Sequence, residues 1–228
     1  MIRFLGPFDP HRVRLLVFDL DGTLIDSRLD LIHSVNAMLR HIGRPELAGD
    51  VIASYVGDGA PALVRRALAD TDDEAFFGSA LEYFLAYYRV HKLDHTTVYD
   101  GIPEVLAALA SSNGVQRQMA VLSNKPVNPS RLIVQALGLG DFFVSVYGGN
   151  SFTTKKPDPL GVLTILQETG VAADETLMIG DSSVDDLTGR NAGLWTCGVT
   201  YGFAPHSLEE AAPDVLVESP RELGELLR

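Results

Sequence analysis

The chain has 228 residues and a formal net charge of −12, with 30 acidic side chains against 18 basic ones. Its length suits one domain, or a core domain that carries a smaller insertion. The negative field repels a nucleic-acid backbone and no cluster of Lys and Arg interrupts it, which excludes a nucleic-acid-binding function.

Three further properties limit the expected environment of the chain. Its apolar runs are all shorter than the roughly 20 residues that cross a bilayer, so no contact with a membrane is expected. The first ten residues lack the basic and apolar regions of a signal peptide, which predicts a cytoplasmic location. Cys197 is the only cysteine, which excludes an intrachain disulfide, and its apolar neighbours predict a buried, unreactive thiol.

Short apolar runs alternate with helical patterns along most of the chain. This alternation predicts an α/β fold with a parallel sheet and crossover helices. The predicted strands are 15–18, 119–122, 143–146 and 176–179, with two weaker ones at 195–199 and 215–217. The predicted helices between them are 103–110, 130–137, 159–169 and 185–192.

Residues 28–95 differ from the rest, because they contain helical patterns and no clear strand. The patterns cover 29–42, 59–69 and 74–92, and the last carries a dense set of aromatic side chains. A helical block inside an α/β chain predicts an inserted domain at 28–95, with the core formed by 1–27 and 96–228. Packing between helices explains the aromatic side chains best, and stacking of one or two on a ligand is the alternative.

Two carboxylates, those of Asp19 and Asp21, follow the first predicted strand directly. Ligands of open α/β sheets bind at this carboxyl edge, and Gly22 permits the chain to curl so that both side chains face one site. One carboxylate can act as a nucleophile while the other transfers protons. Both can also contribute oxygen ligands to Mg²⁺. The segment therefore predicts a catalytic or metal-binding loop.

The segment Asp19-Leu20-Asp21-Gly22-Thr23 resembles the first motif of the haloacid dehalogenase-like phosphatases. The resemblance implies a Rossmann-like parallel sheet with an inserted α-helical cap, of the kind called C1, at residues 28–95. It also implies three later motifs at strand ends, and candidates for all three are present. They are Ser123-Asn124-Lys125-Pro126, Lys155-Lys156-Pro157 and the segment from Gly180 to Asp185.

The resemblance assigns a role to one or two residues of each later motif. Ser123 and Asn124 would bind phosphoryl oxygens, and Lys156 would neutralise the phosphate and the nucleophile. Asp181 would complete a magnesium site with Asp19 and Asp21. Asp185 would support that site, either through a metal-bound water or through a hydrogen bond to Lys156.

Each later motif taken alone has an ordinary structural explanation: a Ser-Asn turn, a surface lysine pair, or an Asp at a helix N-cap. Two of the motifs also offer two adjacent candidates of the same type, Lys155 beside Lys156 and Asp186 beside Asp185. The order of the four motifs, each at a strand-to-helix junction, favours an active site. Family spacing selects Lys156 and Asp185.

The implied reaction is hydrolysis of a phosphate ester through an aspartyl-phosphate. Asp19 would be the nucleophile, Asp21 the acid and base, and Mg²⁺ the cofactor. The expected partner is a small phosphorylated metabolite, handled by a monomer or a homodimer. The alternatives are a phosphomutase of the β-phosphoglucomutase type, a receiver-type signalling domain, and a binding protein without activity.

The insertion also resembles the cap of phosphoglycolate phosphatases, in the segment from Tyr55 to Ala60 and the helix that follows. Gly57 and Gly59 would let a loop approach an anion at the start of that helix. An arginine of the helix, Arg65 or Arg66, would pair with the substrate carboxylate. Phosphoglycolate is therefore the favoured substrate, with pyrophosphate, nucleotides and sugar phosphates as alternatives.

Overall fold

The computed structural model describes residues 1–69, 71–110 and 116–228. Nine strands lie within these ranges, and six of them overlap predicted apolar runs. The strands are β1 (Arg3–Phe4), β2 (Leu15–Phe18), β3 (Ile25–Asp26), β4 (Thr97–Val98), β5 (Gln118–Leu122), β6 (Ser145–Tyr147), β7 (Thr176–Gly180), β8 (Trp195–Val199) and β9 (Val215–Val217).

Seven of these strands form one sheet in the order β1-β9-β8-β7-β2-β5-β6. All neighbours in it are parallel except β1 and β9, which are antiparallel. The predicted α/β class with a parallel sheet is therefore confirmed. All residues of β2 are buried, as expected for a parallel strand that helices cover on both faces. The sheet therefore lies at the centre of this part of the fold.

Helices lie on both faces of this sheet and also fill the insertion. They are α1 (Arg28–His41), α2 (Gly49–Ser54), α3 (Ala60–Ala67), α4 (Glu74–His91), α5 (Ile102–Ala110), α6 (Val127–Ala136), α7 (Leu160–Thr169), α8 (Ser183–Asn191), α9 (Leu208–Ala211) and α10 (Pro220–Leu226). Alternate residues of β2 face opposite layers. Leu16 and Phe18 pack with α5, α6 and α10, whereas Leu15 and Val17 pack with α7.

One predicted strand of the core is displaced in the structure, and the predicted burial of the cysteine is confirmed. The strand predicted at 143–146 is displaced to β6, because the amide of Phe143 donates to Gly140 O (3.2 Å) and closes a short 3₁₀ turn. Cys197 lies buried in β8 as predicted, and burial raises the pKa of its thiol to about 12.

The inserted helices α1 to α4 have a hydrophobic core of their own. Its buried members all come from the segment between Leu31 and Tyr88, and Phe77 and Phe84 are among them. Packing between helices therefore accounts for these aromatic side chains. Among the described residues, none of the helices is both long and apolar enough to pass through a membrane.

The chain enters and leaves this helical block at one place. β3 and β4 pair antiparallel, with Ile25 opposite Val98 and Asp26 opposite Thr97. The buried Asp30 reinforces the junction, because its carboxylate accepts hydrogen bonds from the amide (2.9 Å) and hydroxyl (2.6 Å) of Thr96. The β3–β4 ribbon is thus the covalent connection between the sheet domain and the helices.

Candidate active site

The carboxyl ends of three neighbouring strands place the site. Phe18 in β2 lies opposite Val121 in β5 and Ile179 in β7. The chain therefore emerges from all three strands at the same level, and Asp19, Ser123 and Asp181 meet at one edge of the sheet. This is the edge at which open α/β folds bind ligands.

Asp19 forms an ion pair with Lys156 at the buried end of this site. The Lys156 Nζ atom lies 2.8 Å from Asp19 Oδ1 and 2.6 Å from Asp185 Oδ1. Burial alone would lower the pKa of Lys156, but Asp185 and Asp19 outweigh it and raise this pKa. The lysine therefore stays protonated between two carboxylates and holds the Asp19 side chain in place.

Asp181 and Asp185 come from the loop between β7 and α8. Asp181 accepts a hydrogen bond from the amide of Phe203 (2.6 Å). Asp185 accepts from the amide (3.2 Å) and the hydroxyl (2.7 Å) of Ser182. Ser182 is the N-cap of α8 and Asp185 lies at its N3 position, so the expected Asp N-cap is a serine. Asp185 closes the capping box with Oδ2 and contacts Lys156 with Oδ1. Asp186 instead pairs with Arg190 at 2.7 Å.

Oxygen atoms of Asp19, Asp181 and Asp185 lie within 4.8 Å of one another. Burial and then the neighbouring carboxylates raise the pKa of Asp181 to about 8. Burial likewise raises the pKa of Asp19 to about 6, although Lys156 opposes the shift. Three buried carboxylates with one lysine carry excess negative charge, and oxygen ligands of this kind suit a hard divalent cation.

Gly22 lets the loop after β2 close over this cluster. Its φ angle is +83°, and a Cβ atom built there would lie 2.3 Å from Asp181 Oδ2. A side chain at position 22 would therefore push Asp181 away from the other carboxylates. The positive φ angle agrees with the prediction that Gly22 permits the chain to curl.

The Asp21 carboxylate does not join the other three, contrary to its predicted place among the metal ligands. Its two oxygens accept hydrogen bonds from Lys125 Nζ at 2.7 and 2.8 Å. Ser27 Oγ donates a further hydrogen bond at 2.5 Å. These partners hold the side chain on the cap side of the pocket, where it can meet the leaving group of a substrate.

Lys125 is a site residue to which the sequence analysis gave no role. It is buried, and its Nζ atom lies 4.8 Å from the ring centroid of Tyr88 in α4. Burial alone would lower the pKa of Lys125, but Asp21 outweighs it and raises this pKa. Lys125 directly follows Ser123-Asn124 in a loop at the sheet edge, and this position in the sequence could have indicated that it belongs to the site.

Ser123 and Asn124 follow β5, and both line the pocket. Asn124 Nδ2 donates to the carbonyls of Gly57 and Lys156, each at 3.1 Å. Asn124 thereby joins the loop before α3 to the loop that carries Lys156. Contact of Ser123 with a phosphoryl group stays a prediction, and the two hydrogen bonds of Asn124 hold these loops against each other.

Gly57 and Gly59 line the pocket as predicted, but the structure does not bring Arg65 there. Its guanidinium pairs with Glu74 (3.1 Å) and packs over the ring of Phe77 (3.9 Å). Successive helical residues are rotated by about 100°, so the α3 face that presents Ala60 and Leu63 to the pocket turns Arg65 away.

The alternative arginine is turned away as well. Arg66 pairs with Asp58 at 2.5 Å and donates to the carbonyl of Tyr55 at 2.9 Å. The pocket is about 60 Å³, and its cap side is mostly apolar. The cap residues and nearby core residues that provide this wall are Leu31, Val56, Ala60, Leu63, Phe84, Leu85 and Phe203.

Known proteins of one family resemble this chain closely. A phosphoglycolate phosphatase of Chromobacterium violaceum is 37% identical, over 95% of this chain and 97% of the relative. One of Pseudomonas putida is 38% identical, over 92% of this chain and 78% of the relative. The crystal structure of a predicted phosphoglycolate phosphatase from Haemophilus somnus covers 95% of this chain and 99% of its own, at 27% identity and a TM-score of 0.88.

A more distant structural relative shares the fold. The structure of a β-phosphoglucomutase from Clostridium difficile covers 92% of this chain and 93% of its own, at 20% identity and a TM-score of 0.75. The family model described as haloacid dehalogenase-like hydrolase matches residues 16–199. The carboxylates and lysines of the site lie in this matched region, and the chain belongs to the haloacid dehalogenase-like hydrolase family.

Proposed function

We propose that this phosphatase hydrolyses phosphoglycolate with Mg²⁺ as its cofactor. The observation that carries the chemistry is the buried group of Asp19, Asp181 and Asp185 around Lys156. The substrate proposal is supported by the relatives of 36–38% identity that bear this name. A cytoplasmic location and a monomeric or dimeric state stay predictions of the sequence.

The residues present fit a divalent cation, which Asp19, Asp181 and Asp185 would hold. When bound, Mg²⁺ supplies positive charge that shields the phosphoryl group and the nucleophile from each other. Lys156 contributes a second positive charge at the same place, since its Nζ atom is 2.8 Å from Asp19 Oδ1. The site therefore provides the local attraction for phosphate that the net charge of −12 makes necessary.

The reaction proceeds in two displacements at phosphorus. An oxygen of Asp19 attacks phosphorus, the bond to the ester oxygen breaks, and Asp21 in its protonated form gives its proton to the departing alcohol. Asp21 then removes a proton from a water molecule that attacks the aspartyl-phosphate. Phosphate departs and the Asp19 carboxylate is restored.

The dimensions of the pocket support a small substrate, and one basic side chain is available in its wall for a second anionic group. A pocket of about 60 Å³ with an apolar cap wall leaves little room for a sugar or a base. Lys125 is the basic residue that lines it together with Asp21. We infer that Lys125 binds the substrate carboxylate, a role that neither Arg65 nor Arg66 has in this structure.

The test measures phosphate released from phosphoglycolate, pyrophosphate, nucleotides and sugar phosphates in the presence of Mg²⁺. We expect kcat/KM for phosphoglycolate to exceed the others by at least about a hundredfold. Comparable rates on all of them would remove the substrate proposal and leave a general phosphatase. Interconversion of hexose phosphate isomers would favour a mutase instead.

An Asp19→Asn variant is the control for the covalent mechanism. We expect its kcat to fall by at least about a thousandfold, because an amide cannot form the aspartyl-phosphate. Its thermal unfolding curve checks that the variant is folded. Activity equal to that of the parent, with no deamidation found by mass spectrometry, would disprove the mechanism.

A further inference from the structure

A second and larger groove adjoins the catalytic pocket. It is about 760 Å³ and lies between α3 and α4 of the cap and α6 and the loop 149–155 of the core. Part of its wall is shared with the catalytic pocket, so the two spaces adjoin each other. The shared residues are Gly59, Leu85, Tyr88, Asn124, Pro126 and Pro129.

The groove carries positive charge from both domains. Arg89 and Lys92 project from the cap side, and Arg131 and Lys155 from the core side. Among the described residues that line it, none is an Asp or a Glu. This composition is the reverse of that of the whole chain, which has 30 acidic and 18 basic residues.

These four cations are also free of carboxylate partners within the described part of the chain. Three of them instead donate to backbone carbonyls: Lys92 to Arg89 O (2.7 Å), Arg131 to Val146 O (3.0 Å) and Lys155 to Asp58 O (2.5 Å). Such bonds fix the direction of each side chain and leave its charge uncompensated. The lining of the groove therefore carries four positive charges without an ion-pair partner among the described residues.

We propose that this groove is the entry path of the substrate and that its four cations concentrate phosphorylated anions at the mouth of the pocket. The proposal rests on the proposed function for the anionic nature of the substrate. The Debye length is about 8 Å at physiological ionic strength, so an incoming anion responds to nearby charges more than to the total of −12. A cleft with charge of one sign raises the local concentration of counter-ions and their rate of association.

The test compares two groove variants, Arg89→Gln/Lys92→Gln and Arg131→Gln/Lys155→Gln, with a matched control. The control, Arg221→Gln/Arg228→Gln, removes the same charge from a separate groove that also contains Asp100, Glu104 and Glu225. Steady-state kinetics are measured between low and high ionic strength. Both phosphoglycolate and p-nitrophenyl phosphate are used, and melting temperatures verify that each variant is folded.

We expect each groove variant to lower kcat/KM by about threefold to tenfold at low ionic strength, with a smaller change in kcat. The decline of kcat/KM with added salt should be steeper in the parent and in the control than in the groove variants. The combined four-residue variant should lose most of this salt dependence.

Equal effects in the groove variants and the control would overturn the proposal, as would groove variants that keep the salt dependence of the parent. A parent enzyme that hydrolyses p-nitrophenyl phosphate but not phosphoglycolate would disprove the substrate assignment alone. The groove variants and the control would then be compared with p-nitrophenyl phosphate as the substrate. A parent enzyme inactive on both esters would overturn the proposed function and the entry path together.

Discussion

Asp19 and Asp181 illustrate how burial changes ordinary carboxyl groups. In water each would lose its proton near pH 4, but here burial raises the pKa of Asp19 to about 6 and that of Asp181 to about 8. The folded protein without metal therefore holds protons that the unfolded chain has already released. A divalent cation would replace those protons and remove the repulsion among the side chains of Asp19, Asp181 and Asp185.

Magnesium binding is expected to depend on pH for this reason. Between roughly pH 4 and pH 8 the Asp181 carboxyl binds more protons in the folded than in the unfolded state, so its contribution to stability falls as pH rises. Mg²⁺ competes with those protons. We expect the rise in melting temperature caused by Mg²⁺ to be larger at pH 8 than at pH 6.

Differential scanning fluorimetry with and without Mg²⁺ measures this effect. The Asp181→Asn variant is the control, because it removes one ligand and the proton that competes for it, and its response to Mg²⁺ should be small at both pH values. A rise of equal size at pH 6 and pH 8 in the parent would contradict the expected competition.

Lys125 offers a second test at the scale of single residues. Its hydrogen bonds of 2.7 and 2.8 Å to Asp21 and its proposed contact with the substrate carboxylate would both be lost in Lys125→Gln. Hydrogen bonds to charged groups contribute about 1.5–3 kcal/mol, so kcat/KM for phosphoglycolate should fall roughly tenfold to a hundredfold.

A comparison of two substrates separates the two roles of Lys125. p-Nitrophenyl phosphate has no carboxylate, so its kcat/KM should fall several times less than that of phosphoglycolate. An equal loss on both substrates would show that Lys125 acts through Asp21 alone, and the inferred contact with the carboxylate would be wrong.

The start of α3 is the element on which the fit between cap and core depends most directly. Gly59 has a φ angle of +83°, and a Cβ atom built there would lie 2.7 Å from the carbonyl oxygen of Asn124. The backbones of the cap helix and the loop after β5 thus touch at this point. The contact sets the distance between the apolar wall of the pocket and Ser123.

Gly59→Ala should therefore impair both stability and activity. A residue with a side chain at positive φ costs about 1–3 kcal/mol, and displacement of either backbone would move Ser123 relative to the cap. We expect lower unfolding free energy in urea and a fall in kcat/KM of about tenfold.

Gly78→Ala is the matched control for that substitution. Gly78 lies inside α4, and a Cβ atom there would meet nothing within 4 Å. Alanine is favoured over glycine in a helix by up to about 1 kcal/mol, so this variant should be slightly more stable with unchanged kinetics. Similar losses in both variants would show that the contact at Gly59 has no special importance.

The elements that the sequence predicts well are those buried on both sides. β2, β5 and β7 are recognisable because both faces of each strand are covered, which leaves continuous apolar runs. No such run is present in the short strands β1, β3 and β4 or in the six-residue helix α2. Their formation depends on neighbours that are distant in sequence, and local patterns do not reveal it.

The same distinction applies to the site. Asp19, Ser123 and Asp181 could be predicted because each follows a strand end, and the parallel register brings strand ends together. The direction of Arg65 depends on the rotation of α3 and on Phe77 and Glu74, which its local sequence does not specify. The pairing of Lys125 with Asp21 is likewise a contact between two loops.

At the scale of the whole molecule, the β3–β4 ribbon joins two bodies with separate hydrophobic cores. We propose that the helices 28–95 act as a lid that moves about this ribbon, and that closure excludes bulk solvent from the site while the phosphoryl group is transferred to Asp19. During such a motion the Asp30 carboxylate would hold the two connecting segments together through its hydrogen bonds to Thr96.

Removal of the insertion tests its independence from the sheet domain. Asp26 and Thr97 are paired in the ribbon, so residues 27–96 can be replaced by Asn-Gly, a preferred two-residue hairpin turn. We expect a folded, cooperatively melting sheet domain by circular dichroism. Its preference for phosphoglycolate over p-nitrophenyl phosphate should fall at least about tenfold, since the lid supplies the pocket wall. An unfolded product would show that the sheet domain needs the helices.

The two ends of the insertion lie side by side in the β3–β4 ribbon. This arrangement has a consequence for how such proteins diversify. An insertion whose two ends leave a hairpin side by side imposes no stretch on the host, whatever its length or internal architecture. Recombination at this hairpin can therefore exchange one lid for another while the phosphoryl-transfer chemistry is inherited intact. New substrate preferences can then arise in a lineage without a period in which the catalyst itself is lost.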